Sequence, residues 1–139
     1  MATFRCTIVT PSDSMLDEQV TYATFQAWDG QKGVAPGASA FLAKLGTGAA
    51  RLDLSSGQSR WFVIDGGFAQ MQGDALTLLV DGAEDAGAID AVKAQTDLVE
   101  ANARVTATNP SPLNLEQREQ IERAQRRAAI RVALAGRGS

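Results

Sequence analysis

A chain of 139 residues with 13 Lys/Arg, 16 Asp/Glu, one Cys and no His carries a formal charge of −3. That length holds one modest core, or a small domain with a helical appendage, and not two large domains. The missing imidazole and the lone thiol exclude Ser-His and Cys-His nucleophile pairs, an internal disulfide and a thiolate metal site.

From the N-terminus to about residue 80 the chain reads as short strands separated by turn signals, the pattern of a sandwich or barrel. The runs are Phe4 to Thr10, Val20 to Trp28, Ala49 to Leu54, Arg60 to Ile64, Phe68 to Met71 and Ala75 to Val80. Asp29-Gly30, Pro36-Gly37, Ser56-Gly57, Asp65-Gly66-Gly67 and Gly73-Asp74 stand between them as turns, and Gly46-Thr47-Gly48 is read as another. Turns this closely spaced favour antiparallel hairpins. Val20, Tyr22, Thr24 and Gln26 alternate with Thr21, Ala23, Phe25 and Ala27, while Leu76, Leu78 and Val80 share one face. The expected core is Phe4, Ile8, Phe25, Trp28, Trp61, Phe62, Phe68, Leu76 and Leu78, each contributing ~1.5 to 3 kcal/mol on burial. Cys6, inside the first run, is expected to be a packed and inert thiol.

After Gly87 the period changes. Ile89, Val92, Val99 and Ala103 fall on one helical stripe, which predicts a helix from about Ala88 to Ala107. Asn109-Pro110-Ser111-Pro112 stops it, and Asn114 is placed to cap a second helix from about Leu115 to Ala135. Ile121, Ala124, Ala128 and Val132 line one face of that helix, so the two helices form a hairpin with a close but shallow contact. The expected organisation is therefore a sandwich over residues 1–86 and a helical hairpin over 87–139.

Charge follows the same division. Residues 1–86 carry five Lys/Arg against ten Asp/Glu, a balance of −5, and residues 87–139 carry eight against six, a balance of +2. The basic residues alternate with Glu116, Glu119 and Glu122, and no aromatic follows Phe68, so no stacking platform for nucleic acid accompanies them. No run approaches the ~18 apolar residues of a membrane span, and no basic stretch leads into an apolar core at the start, so a soluble intracellular protein is expected. There is no G-x-x-x-x-G-K-S/T phosphate loop, and Gly37-Ala38-Ser39-Ala40-Phe41 lacks the last glycine of a nucleophile elbow. An enzyme is the weaker class.

Four blocks in order carry a family resemblance: Cys6-Thr7-Ile8-Val9-Thr10-Pro11; Asp29-Gly30 with Gly33-Val34-Ala35-Pro36-Gly37; Leu45-Gly46-Thr47-Gly48-Ala49-Ala50-Arg51-Leu52; and Ile64-Asp65-Gly66-Gly67-Phe68-Ala69. With the helical hairpin behind them, the chain resembles the epsilon subunits of bacterial F-type ATP synthases. The resemblance implies an antiparallel ten-stranded β-sandwich followed by a two-helix hairpin, and a noncatalytic role in the central stalk of a proton-translocating rotor. It implies the gamma subunit, the c-ring and the alpha and beta subunits as partners, and a peripheral place on the cytoplasmic face of the bacterial inner membrane. The loop from Asp29 to Ala38 would face the c-ring. Many relatives have an acidic residue where Gln31 stands and a histidine where Ala38 stands, so ion pairs made there are missing here.

In the family the helical tail can reach the catalytic head and oppose ATP hydrolysis, and Arg118, Arg123, Arg126, Arg127 and Arg131 would supply charge for acidic loops of the beta subunit. Some members bind regulatory ATP between the folded helices through I-D-x-x-R-A and R-A-x-x-R motifs; no cofactor is required. The matching residues are Ile89, Asp90, Lys93 and Ala94 on the first helix, Arg123 and Arg127 on the second, and Glu84 before them. Ile89 and Ala94 would pack the base, Asp90 would accept from the ribose or adenine, and the arginines would pair with phosphates. Lys93 stands in place of an Arg and loses its planar fork, and Glu100 would repel phosphate, so weak binding or none is expected. Two alternatives remain open from the residues: a free-standing ATP-sensing switch, and a β-sandwich ligand-binding module with a helical dimerisation tail.

Overall fold

The computed structural model describes residues 2–107 and 115–135, so the proline stop at Asn109 to Pro112 and the cap at Asn114 lie outside the described residues. Six strands come first: β1 (Phe4–Val9), β2 (Ser14–Ala27), β3 (Gly30–Val34), β4 (Phe41–Leu54), β5 (Ser59–Gln72) and β6 (Ala75–Asp85). A 3-10 turn (Ala86–Ala88) leads to helices α1 (Ala91–Ala107) and α2 (Leu115–Leu134). The sandwich followed by two helices is as expected; its construction differs from ten short strands.

The difference comes from the glycines. Asp65-Gly66-Gly67 and Gly46-Thr47-Gly48 are not turns between strands but lie inside β5 and β4, each 14 residues long. Gly66 and Gly67 have φ of +69° and +114°, which lets β5 bend sharply while the β4 and β5 registers continue unshifted from Phe41↔Met71 to Asp53↔Ser59. One long strand thus serves both layers where two strands and a turn were expected. β3 is also new, occupying the loop between Asp29 and Ala38 as a hairpin partner of β2.

The strand order β1-β6-β5-β4-β2-β3, with β1 also pairing β2, closes five strands into a flattened barrel and leaves β3 attached to the edge of β2. The neighbours are antiparallel apart from β1 and β6, which run parallel, contrary to an all-antiparallel sandwich. Parallel pairing is possible because the chain between β1 and β6 is long enough to return to the same end.

Phe4, Ile8, Phe25, Leu52, Phe62, Met71, Leu76 and Leu78 fill the interior and are almost wholly buried. Val20 and Ala23 both point inward, out of phase, because the β2 to β4 register shifts between Val20 and Tyr22. Three expected core aromatics are not there, and two of them, Trp28 and Phe68, are 71% and 49% exposed. Trp61 is half-buried on the outside of the barrel, in a second cluster of Val63, Ala86, Ile89, Ala94 and Leu134 where the helical hairpin docks. The helix stripe is corrected too. Val92 and Val99 face solvent, and α1 instead buries Ala94 and Ala101. Burial on α1 is decided by how closely α2 approaches, and alanines permit the close approach.

Candidate functional site

The site forms where α2 lies on the barrel. Ala94, Asp97 and Ala101 share one face of α1, and the small Ala124 and Ala128 of α2 lie opposite, so side chains of α2 can reach past the backbone of α1. Arg127 and Arg131, one turn apart on α2, do so toward the sheet. Arg131 Nε donates to Glu84 Oε1 at 2.6 Å and Nη2 to Glu84 Oε2 at 3.4 Å, while Nη1 donates to Asp97 Oδ2 at 2.9 Å. Arg127 Nη1 donates to Asp65 Oδ2 at 3.0 Å, and the other oxygen of Asp65 accepts from the Thr47 hydroxyl at 2.8 Å.

Strand register explains how the carboxylates come together. Glu84 stands opposite Val63 and Asp65 opposite Gly82, so both acids project from neighbouring strands and the glycine leaves space between them. That space is a cleft of ≈ 260 Å³ lined by Val63, Gly82 and Ala83 beneath and by the four charged side chains Asp65, Glu84, Arg127 and Arg131. Hydrogen bonding to Glu84, and then to Asp97, holds the Arg131 guanidinium above its ordinary pKa against the opposing effect of burial. Its positive charge is permanent. Two arginines face three carboxylates here, so an incoming phosphate competes with carboxylates already bound to both guanidiniums.

The residues matched to a nucleotide motif separate into two groups. Glu84 and Arg127 line this cleft. Ile89 and Ala94 are buried in the apolar cluster that also holds Leu134. Asp90 caps α1, its Oδ1 accepting from the amides of Val92 at 2.9 Å and Lys93 at 3.1 Å. Lys93 and Arg123 are exposed. Arg123 is eleven residues before Leu134, or ~16 Å along the helix, so the structure does not bring it to the start of α1. Asp65, Asp97 and Arg131 belong to the site and carried no nucleotide motif. The i, i+4 spacing of Arg127 and Arg131, with Asp97 beside Ala94 and Ala101, was the available signal for two of them; Asp65 stood in what reads as a turn.

A second surface lies across the bend. Lys44 of β4 pairs with Phe68 of β5, which pairs with Leu79 of β6, and all three point outward. Leu42, Phe68 and Leu79 are about half-exposed or more, and Phe68 and Leu79 line a cleft of ≈ 500 Å³ with Val9, Pro11 and Asp81. Trp28 joins this neighbourhood, its backbone amide bonded to the Lys44 carbonyl at 2.9 Å. Apolar side chains gathered in this way on a water-facing sheet mark an interaction surface.

Residues 3–86 match the family described as ATP synthase, Delta/Epsilon chain, beta-sandwich domain. An ATP synthase epsilon chain from Geobacter sp. (strain M21) is 34% identical over 134 residues, covering 95% of this chain and 93% of its own. One from Rhodopirellula baltica is 37% identical over 97 residues, covering 70% and 75%. One from Bacillus subtilis (strain 168) is 32% identical over 107 residues, covering 77% and 80%. Among solved structures, a chain of the Euglena gracilis mitochondrial ATP synthase superposes with a TM-score of 0.80 at 24% identity, covering 96% of this chain and 81% of that one, which is a likeness of fold.

Proposed function

The chain belongs to the ATP synthase epsilon chain family, and on that premise we propose that it is the noncatalytic rotor subunit of a proton-translocating F-type ATP synthase, coupling rotation in the central stalk to ATP synthesis. The sandwich, residues 1–86, carries the contacts with gamma and the c-ring, and residues 87–139 form a regulatory tail that opposes ATP hydrolysis in the alpha and beta head. Among the described residues no helix is long and apolar enough to cross a membrane. Association with the cytoplasmic face of the bacterial inner membrane then runs through the complex.

The observation that supports this reading best is the outward face of Leu42, Phe68 and Leu79, left uncovered while the tail is docked at the other end of the same strands. A rotor subunit needs a permanent apolar attachment that its mobile part does not occlude. The test is capture of the gamma subunit by the Phe68→Glu, Leu79→Glu double variant. Binding weaker by about tenfold or more, with an unchanged unfolding midpoint, is expected; unchanged binding refutes this attachment face.

A second reading makes the cleft under α2 a regulatory ATP site, supported by Glu84 and Arg127 lining one cavity. The bound carboxylates set its affinity low.

A further inference from the structure

The hairpin meets the barrel through one apolar cluster. Leu134, Ile130 and Val132 of α2 and Ile89 and Ala94 near the start of α1 cluster with Ala49, Trp61 and Val63, a patch smaller than the barrel core and separate from it. The remaining contacts are charged. Arg131 reaches partners 47 and 34 residues away on β6 and α1, and Arg127 reaches one 62 residues away on β5. Two side chains of one helix thus tie together every body of the molecule: both helices and two strands of the barrel.

These pairs are neither surface decoration nor a buried network. The Arg131 and Asp65 side chains are 18% and 17% exposed, and their partners Glu84, Asp97 and Arg127 are 40%, 37% and 48% exposed. Attraction between such groups exceeds that of free surface pairs and is still screened by salt. Three of the five Arg131 donors already rest on carboxylates, and Glu100 lines the adjoining cleft between the helices, so the cluster provides the anions that a nucleotide would otherwise bring.

We propose that Arg131, bridging Glu84 and Asp97, and Arg127, bound to Asp65, form a carboxylate latch that holds the helical hairpin on the sandwich without nucleotide and is released by ionic strength. This rests on reading the tail as the mobile, regulatory part. Once undocked, the two helices keep only each other, and short helices in water fray, so amide exchange in the helices reports the latch.

The experiment is hydrogen exchange by mass spectrometry on the full chain, following residues 91–104 and 116–134 against the strands. Arg131→Gln is expected to speed exchange of both helices about tenfold, a change of about 1.4 kcal/mol, with the strands unaffected. Glu84→Gln combined with Asp97→Asn should reproduce it, and Arg123→Gln should not. Raising salt from about 0.05 M to about 0.5 M should speed exchange in the wild type, less so in Arg131→Gln, which keeps only the Arg127 pair with Asp65, and not at all in Arg131→Gln combined with Arg127→Gln. Millimolar MgATP should alter none of these. If Arg131→Gln also loosens the strands, the Glu84/Asp97 pair of changes decides, since Arg131 then stays in place. Unchanged helix protection in the carboxylate variant, or ATP-dependent protection of the wild type, overturns the latch. Gamma capture by these variants is read separately, so a failed rotor assignment would show there while the exchange result stands.

Discussion

Replacing Gly67 with alanine should be among the most damaging single-methyl additions this sandwich can receive, and Gly66, its neighbour, supplies the control. Gly67 sits in the central strand β5, paired with Leu45 on one side and Val80 on the other. An added Cβ would lie 2.1 Å from the Leu79 carbonyl oxygen and 2.6 Å from the Val80 Cα, both backbone atoms of β6. No rotamer change relieves that overlap, so β5 and β6 must part by about 1 Å, at an overpacking cost of about 1 to 3 kcal/mol. The φ of +114° adds about 1 to 3 kcal/mol of backbone strain, giving roughly 2 to 6 kcal/mol in all. At Gly66 the φ of +69° is milder, and the nearest atom, Asp81 Oδ2 at 2.7 Å, is the end of a side chain that can turn away. Gly66→Ala should cost about 1 to 2 kcal/mol. Urea unfolding followed by tryptophan fluorescence measures both. With a slope of about 1 to 3 kcal/mol/M, Gly67→Ala should lower the midpoint by about 1 M or more. Equal losses in the two variants would refute the argument that strand contact, and not only φ, makes Gly67 necessary.

Burial, aided by the negative charge of Asp17, pushes the Cys6 thiol up to about 12. The native state therefore keeps a proton that the unfolded chain releases near 9, so stability is whole below about pH 9 and falls by about 1.4 kcal/mol per pH unit as pH rises toward 12. The stability difference between wild type and Cys6→Ala should carry this slope, and a difference flat across that window would contradict it. Ending the chain at Ala107 removes α2 and uncovers Trp61 and Val63, which should red-shift tryptophan emission while gamma capture stays intact; lost capture would show that the hairpin contributes to attachment. Calorimetric titration with ATP should give no saturable heat up to about millimolar concentrations. Saturable heat that Asp90→Ala abolishes would establish the nucleotide reading over the self-held one.

Much of the barrel was legible because alternation reports burial directly, as with Leu76, Leu78 and Val80 on one face of β6. The bends were not, because a glycine with positive φ is needed equally by a turn between strands and by a corner within one. Gly66 and Gly67 could serve either purpose until the unbroken register with β4 decided it. Phe68 was misplaced for a related reason, since its face depends on where β5 crosses the bend, and Trp28 because β2 ends at Ala27 and leaves it in the turn before β3. On α1, the larger residues Val92 and Val99 suggested the wrong face, since the approach of α2 selects for small side chains. The latch was nearly invisible, because each carboxylate lies at least 34 residues from its arginine and nothing local marks the pair.

The bends also explain how one small barrel can keep two surfaces independent. β4 and β5 each run through their glycines from one layer to the other, so the half formed by residues 41–45, 67–72 and 75–80 carries the Phe68 and Leu79 face. The other half, residues 47–54, 59–65 and 82–85, carries Ala49, Val63, Glu84 and Asp65, on which the tail rests. Opening the hairpin exposes apolar and acidic groups on the second half and leaves the first untouched. A shared core of Phe25, Phe62 and Leu78 joins the halves, and the conformation of the tail does not enter that core. A domain attached permanently through one end can therefore release a helix from the other without loosening its own attachment, because the contact given up, one satellite apolar cluster and exchangeable ion pairs, is separate from the core.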